Sequence, residues 1–198
     1  MKLYISLNSP YVRMVRVLLE ETGRAFEVEQ VEVNPRDPSS GYWALNPTSR
    51  VPALELPNGT IIPESSLICA YLDKQLADGR FFAPLHADPQ HLGMFGTAVA
   101  MLDRGVAART EKMREGGPDH ETFINTQLAA VIRAADAFEK FAAPKTGEID
   151  MLDIAIACAT AWVDFRHPEV KILEGRGRLS EWVQSTSARP SMLVTRPH

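Results

Sequence analysis

The stretch Asn46-Pro47-Thr48-Ser49-Arg50-Val51-Pro52-Ala53-Leu54-Glu55-Leu56-Pro57-Asn58-Gly59-Thr60-Ile61-Ile62-Pro63-Glu64-Ser65-Ser66 decides how the first half of the chain folds. Asn58-Gly59 separates two β-prone runs, Ala53-Leu54-Glu55-Leu56 and Thr60-Ile61-Ile62. Both residues of that step tolerate positive φ, so the pair predicts a tight hairpin. Glu64-Ser65-Ser66 then opens an amphipathic helix through Leu67, Ile68, Tyr71, Leu72 and Leu76. Upstream, residues 2–6 (Lys-Leu-Tyr-Ile-Ser) read as a short strand. Ser9 can cap a helix that has Pro10 at its first position, and the apolar series Val12, Val15, Val17, Leu18 and Leu19 ends at Gly23, a residue suited to the left-handed exit of a helix. Phe26 to Val33 alternates like a strand, and a Pro- and Ser-rich loop with a short helix at Tyr42, Trp43, Ala44 and Leu45 follows. The order is βαβ, a short helix, ββ and α.

Beyond residue 78 the pattern changes. A loop, Asp78 to Pro89, leads into helical periodicity at about 88–115, 119–142, 150–165 and 176–188, with no strand. Ile149-Asp150-Met151-Leu152-Asp153-Ile154 has the form of a capping box: Asp150 bonds the amide at N3, Asp153 reaches back, and Ile149 staples onto Ile154. The helix it starts is apolar nearly all round and belongs at the centre of a helical domain. The expected fold is therefore an α/β domain at 1–78 and an all-α domain at 88–198, joined by a linker at 79–87.

The charge balance of the 198 residues, 21 Lys plus Arg against 25 Asp plus Glu, offers no polycationic surface for phosphates, so neither nucleic acid nor an acidic membrane is an expected partner. Polar residues interrupt every apolar run before it reaches the length of a signal peptide or a membrane span, and the expected location is the cytoplasm. Cys69 and Cys158 sit in apolar helical runs and read as buried packing residues. His86, His91, His120, His167 and His198 show no metal-ligand spacing, so no metal is expected.

Three features together, Ser9-Pro10-Tyr11-Val12-Arg13, Asn46-Pro47 followed by Arg50-Val51-Pro52, and Glu64-Ser65, resemble the cytosolic glutathione transferases; the capping box at Asp150 and Asp153 extends the likeness into the second half. The resemblance spans essentially the whole chain and is closest to the small bacterial serine-type members, some of which carry a tail like Thr195-Arg196-Pro197 here. It implies a thioredoxin-like domain followed by an all-helical one, glutathione as co-substrate, a small electrophile as second substrate and a homodimer with helices near 64–78 and 88–115 at its interface.

Glutathione chemistry needs a thiolate near neutral pH. An ordinary thiol titrates at about 8.5, and moving it by two units takes about 2.7 kcal/mol of differential stabilisation. A helix N-terminus favours an anion, and a Ser9 hydroxyl can donate a charge-assisted hydrogen bond to sulfur, so Ser9 is the catalytic candidate. Tyr4 competes, since other classes use a tyrosine near the end of the first strand, and Ser6 and Asn8 are weaker alternatives. Where thiol-using relatives have Cys before this proline, the chain has Ser, which rules out a mixed disulfide there. By resemblance, Val51-Pro52 is a cis step whose Val51 N–H and C=O pair with the cysteinyl moiety of glutathione like an added strand. Glu64 and Ser65 then receive its α-amino and α-carboxylate groups. Arg36 or Arg50 meets the glycyl carboxylate, and Asp103 reaches glutathione of the neighbouring subunit. The electrophile site implied by the family lies between the loop after the first strand and the helical half, with Leu7, Tyr11, Met101, Gly105, Arg109, Met113, Trp162 and Phe165 as its residues.

Read alone, each of these residues also has an ordinary structural use: Ser9 as a cap, Glu64-Ser65 as a helix start, the Met and aromatic residues as core. Two other functions stay open on the sequence. One is a glutathione-binding regulatory or interaction protein without catalysis; the other is a glutathione-dependent peroxidase, dehalogenase or isomerase.

Overall fold

The computed structural model describes residues 1–141 and 148–196. Ala142, the expected end of one helix, and Pro197 and His198 lie outside the described residues. The elements run β1 (Lys2–Ile5), α1 (Pro10–Thr22), β2 (Glu29–Glu32), α2 (Tyr42–Leu45), β3 (Ala53–Glu55), β4 (Ile61–Pro63), α3 (Ser65–Ala77), α4 (Ala83–Ala87), α5 (Pro89–Lys112), α6 (His120–Phe141), α7 (Met151–Arg166), α8 (Gly177–Ser187) and α9 (Pro190–Val194). They form two compact units, one of Met1–Ala83 together with the chain from Arg189 onward, the other of Pro84–Ala188. The first is the thioredoxin-like α/β unit and the second is all helical.

In the first unit the strands lie in the order β2-β1-β3-β4. β1 and β2 are parallel, while β3 is antiparallel to both β1 and β4. The register fixes which chain ends share an edge: Tyr4 pairs with Ala53, Ala53 with Pro63, and Ile5 with Glu32. The loop into α1, the start of β3, the loop into α3 and the exit from β2 therefore all leave one edge of the sheet. α1 forms where the sequence predicts it. Ser9 caps it by accepting the Val12 N–H at 3.3 Å, Pro10 opens it and Gly23 closes it at φ 70°. Val12, Met14, Val15, Val17, Leu18 and Leu19 are fully buried, each such side chain contributing about 1.5–3 kcal/mol of hydrophobic stabilisation.

Several elements differ from expectation. Residues 25–27 form a turn of 3-10 helix rather than the start of a strand, with Phe26 exposed. Arg24 and Glu27 pair at i,i+3, the spacing such a turn brings together. Inside the expected loop at 78–89, Phe81 and Phe82 are buried, their N–H groups donated to the buried Asp73 carboxylate at 3.1 and 2.8 Å, and α4 follows. Leu67 points outward from α3. The last residues, expected in the helical half, fold against the first unit: α9 packs on α1, where Arg189 makes a two-pronged bond to Glu21 at 2.7 Å and Ser191 donates to the same carboxylate. Burial alone would raise the Glu21 carboxyl, but those bonds, with the charges of Arg189 and Arg80, hold it below the usual carboxylate range.

In the second unit, α7 is buried along nearly its whole length. The Asp150 carboxylate accepts the N–H groups of Leu152 and Asp153 at 2.9 and 3.1 Å, and Asp153 accepts the Asp150 N–H at 2.8 Å. Asp153 also accepts the Trp182 indole N–H at 2.6 Å, tying α8 to the start of α7. Gly105 on α5 is a close-approach site, because a Cβ there would stand 3.0 Å from the Trp162 ring. Cys69 on α3 and Cys158 on α7 are both buried, as packing residues should be.

Candidate functional site

The shared edge of the sheet gathers four stretches that the sequence singles out: Ser9 at the head of α1, Val51-Pro52 before β3, Glu64-Ser65 at the head of α3, and the loop after β2 that carries Arg36. The head of α3 has no side-chain cap, so its first-turn N–H groups are left for another acceptor, and the positive ends of α1 and α3 both favour an anion at this edge.

Ser9 is half-buried. Its oxygen is used as an acceptor by the Val12 N–H, which leaves the hydroxyl proton available to an external acceptor, since a serine hydroxyl holds one donor besides its lone pairs. Tyr4 is committed elsewhere. Its hydroxyl donates to Glu55 at 2.6 Å, and that bond, then burial, then the Glu55 charge push its pKa up to about 12. It can neither turn its proton to a sulfur at this edge nor ionise near neutrality. Ser6 uses its carbonyl to hold the Ser9 N–H at 3.0 Å, and Asn8 is exposed between them.

The Val51-Pro52 peptide is cis. The β1–β3 ladder ends at the Tyr4–Ala53 pair, so Val51 lies past its last rung. What holds this loop is a set of contacts invisible in the motif itself. The Arg50 carbonyl accepts the Tyr42 hydroxyl at 2.6 Å and the Asn46 side-chain amide at 2.8 Å. Asn46, buried, also accepts the Thr48 N–H and hydroxyl at 3.1 and 2.9 Å. Asn46-Pro47 therefore works through Asn46, which fastens the approach to Val51, while the Arg50 side chain stays exposed.

Glu64 adopts φ 76°, a left-handed value that costs a non-glycine residue about 1–3 kcal/mol and is characteristic of ligand clamps. The side chain makes no cap bond and is exposed, although its backbone carbonyl accepts the Ile68 N–H at 2.9 Å. Beside it Ser65 is 1% exposed and its hydroxyl oxygen has no hydrogen-bond partner. A buried hydroxyl without a partner is uncommon and costs about 1–3 kcal/mol. The exposed carboxylate of the strained Glu64 and the orphaned Ser65 hydroxyl belong to adjacent residues at one helix head, as a site for a ligand bearing both signs of charge requires. Arg36 is exposed, with its N–H on Asn34 Oδ1 at 3.1 Å.

The remaining predicted residues are dispersed. Leu7 and Tyr11 are half-buried in the first unit. In the helical unit, Asp103 is exposed on α5, Arg109 is half-buried, and Met113 and Phe165 are exposed, the latter under the Arg166 guanidinium at 4.4 Å. Gly105 and Trp162 are packed on each other, and Met101 lines a groove of α5 and α6 with Thr97, Ala100, Arg104, Ala130 and Arg133. Among the described residues no group of three or more His, Cys, Asp or Glu could hold a metal, and no helix is long and apolar enough to cross a membrane.

Residues 8–75 match the glutathione S-transferase N-terminal domain and residues 97–185 the glutathione S-transferase C-terminal domain. The chain is 28% identical to the uncharacterized GST-like protein YibF of Escherichia coli (strain K12), with 100% of this chain and 98% of that protein covered. Among solved structures, it is similar to a glutathione transferase family member from Pseudomonas fluorescens Pf-5 with bound S-(propanoic acid)-glutathione: 31% identity, all of both chains covered, TM-score 0.85. A glutathione S-transferase from Methylobacillus flagellatus KT with glutathione bound is 25% identical, with 100% and 99% covered and TM-score 0.88.

Proposed function

The chain belongs to the glutathione S-transferase family, and on that premise we propose that it binds glutathione at the shared edge of its α/β unit and activates the thiol for attack on a small electrophile. The observation that carries this reading is the paired head of α3, where a strained Glu64 stands beside a buried Ser65 hydroxyl that has no partner. Glutathione's γ-glutamyl end supplies the complement: its ammonium to Glu64, its carboxylate to the Ser65 hydroxyl and the first-turn N–H groups. Val51 lies past the last ladder rung, which supports its backbone as the partner of the cysteinyl moiety. Arg36 and Arg50 are the exposed cations for the glycyl carboxylate.

Ser9 is the proposed catalytic residue of this serine-type enzyme. Its hydroxyl proton hydrogen-bonds the sulfur at the positive end of α1, stabilising the thiolate over the thiol; the sulfur then bonds to the electrophilic carbon as the leaving group departs with its electron pair. The thioether bound by the Pseudomonas fluorescens relative is the kind of product such a step forms, which supports transfer over binding alone. A cytoplasmic homodimer belongs to the same proposal, with Asp103 reaching the partner's glutathione; Leu67 on α3 and Leu92 on α5, both exposed, suit helices that a second copy covers. Conjugation of glutathione to a chlorinated nitroarene, followed by absorbance at pH 6.5, tests the reading. The wild type should turn over and Ser9→Ala should lose about 50-fold, the fall in thiolate fraction at this pH when the thiol pKa rises by two units to about 8.5. Turnover unchanged in Ser9→Ala would overturn Ser9's role, and tight glutathione binding with no turnover on any electrophile would leave the regulatory module instead.

A further inference from the structure

α1 carries a charge that the mechanism above does not use. Arg13 sits within the apolar series of the helix and is 6% exposed. Its Nη2 donates to the Met192 carbonyl at 3.2 Å, while its Nε has no partner. Among the described residues no carboxylate lies within ion-pair distance of it. Two turns further along α1, Glu21 is taken by Arg189 and Ser191, and on α3, which packs against α1, Asp73 is taken by the Phe81 and Phe82 N–H groups. A buried cation with a single neutral acceptor is an expensive arrangement, and it invites an anion.

Helix geometry puts that anion within reach. Arg13 is four residues past the Ser9 cap, so both lie on one stripe of the helix, about 6 Å apart along the axis, and side chains in a helix lean toward its N-terminus. α9 has the matching direction. Its first residues meet Glu21 near the end of α1, and Met192 meets Arg13 two turns nearer the head. The field of Arg13 is felt along the helix: the Arg16 guanidinium is shifted down, by burial first, against the pull of Glu20, and by the like charge of Arg13.

We propose that Arg13, fixed by the Met192 carbonyl of α9, is a positioning residue whose buried positive charge helps hold the glutathione sulfur as thiolate at Ser9, and that the returning tail exists in part to keep it there. This rests on the reading of Ser9 as the sulfur's partner. Arg13 does not touch the sulfur; it acts across the first turn of α1, where the interior screens charge weakly.

Thiolate absorbance of bound glutathione, titrated against pH in wild type, Arg13→Met and Arg13→Lys, tests it, with affinity for S-methylglutathione measured by calorimetry as the readout of packing. Arg13→Met should raise the bound-thiol pKa by about one unit and leave S-methylglutathione affinity within about twofold, while Arg13→Lys should restore most of the shift. Should Arg13→Met melt below the working temperature, Arg13→Gln removes the charge while keeping a donor for Met192. A pKa depressed in wild type and unchanged in the neutral variants would overturn the role of Arg13 but leave that of Ser9. Equal shifts in the Lys and Met variants would overturn it as well, since packing rather than charge would be the cause. A wild-type thiol titrating near its ordinary value would overturn both readings together.

Discussion

α1 and α7 begin with the same device, an oxygen-bearing residue that accepts first-turn N–H groups, and the two starts are finished differently. At α7 the bonding is closed: Asp150 and Asp153 cap each other, the remaining Asp153 oxygen takes the Trp182 N–H, and both acids are buried. At α1 a single bond of 3.3 Å holds the cap, Ser9 is half-buried, and its proton is uncommitted. The head of α3 is more open still, with no side-chain cap, a left-handed Glu64 and an unpartnered Ser65 hydroxyl. A cap whose bonding is complete builds a fold; one left incomplete at a sheet edge is stability withheld for a ligand.

The largest effect should come from breaking the closed start. Asp153→Ala strands two buried donors, the Asp150 N–H and the Trp182 indole, and should cost about 4 kcal/mol, a fall of about 15 °C in the melting of the helical unit followed by tryptophan fluorescence. At the open start of α1 the balance reverses. Ser9→Ala should cost no more than about 1 kcal/mol of unfolding free energy in urea, yet remove about 2.7 kcal/mol of thiolate stabilisation. A stability loss as large as that of Asp153→Ala would erase the distinction. Ser65→Ala comes next: calorimetry should show glutathione binding about tenfold weaker while the unliganded protein is no less stable, because the deleted hydroxyl has nothing to lose in the empty site.

The smallest effects are pH dependences, and they separate the two units. His167 is buried with its Nε2 on the Gly105 carbonyl at 3.0 Å. Burial first, and the Lys112 charge after it, hold its pKa below the ordinary value against the pull of the Gly105 carbonyl and Glu169. The unfolded chain then takes up the proton first, so the contribution of His167 is complete above about 6.5 and is lost as pH falls from there toward the lower folded-state value. Glu21, depressed in the folded first unit, contributes fully above about 4.3 and is lost as pH falls through its lower folded value. Thermal melts across pH 3 to 7 should therefore show the helical unit, reported by Trp162 and Trp182, weakening at higher pH than the first unit, reported by Trp43.

Local chemistry explains what the sequence makes legible. Ser9, Pro10 and Gly23 bound α1, Asn58-Gly59 closes the hairpin, and Asp150 with Asp153 starts α7, because each motif satisfies its own backbone within a few residues. The residues of the candidate site converge because strand register carries them to one edge, which the element order already implies. Other features depend on partners distant in the chain. The Glu21–Arg189 pair that brings α9 back to α1 spans 168 positions, and no periodicity marks it. Tyr42 and Asn46 fasten the Val51 loop through a backbone carbonyl, a bond with no sequence signature. Arg13 and Arg16 both interrupt the apolar series of α1, and nothing local marks Arg13 as the buried one, because its burial depends on the tail that covers it. Phe26 and Leu67 misled in the opposite sense: both continue a local pattern, and both face solvent.

Whether sulfur completes the open cap of α1 decides the role of Ser9. The direct measurement is the ultraviolet pH titration of the thiolate of glutathione bound to wild type and to Ser9→Ala, at concentrations where calorimetry shows the site filled. The bound thiol should titrate about two units below the ordinary 8.5 in wild type and return to near that value in Ser9→Ala. A bound thiol that titrates near 8.5 in the wild type, or one equally depressed without the Ser9 hydroxyl, would contradict that role.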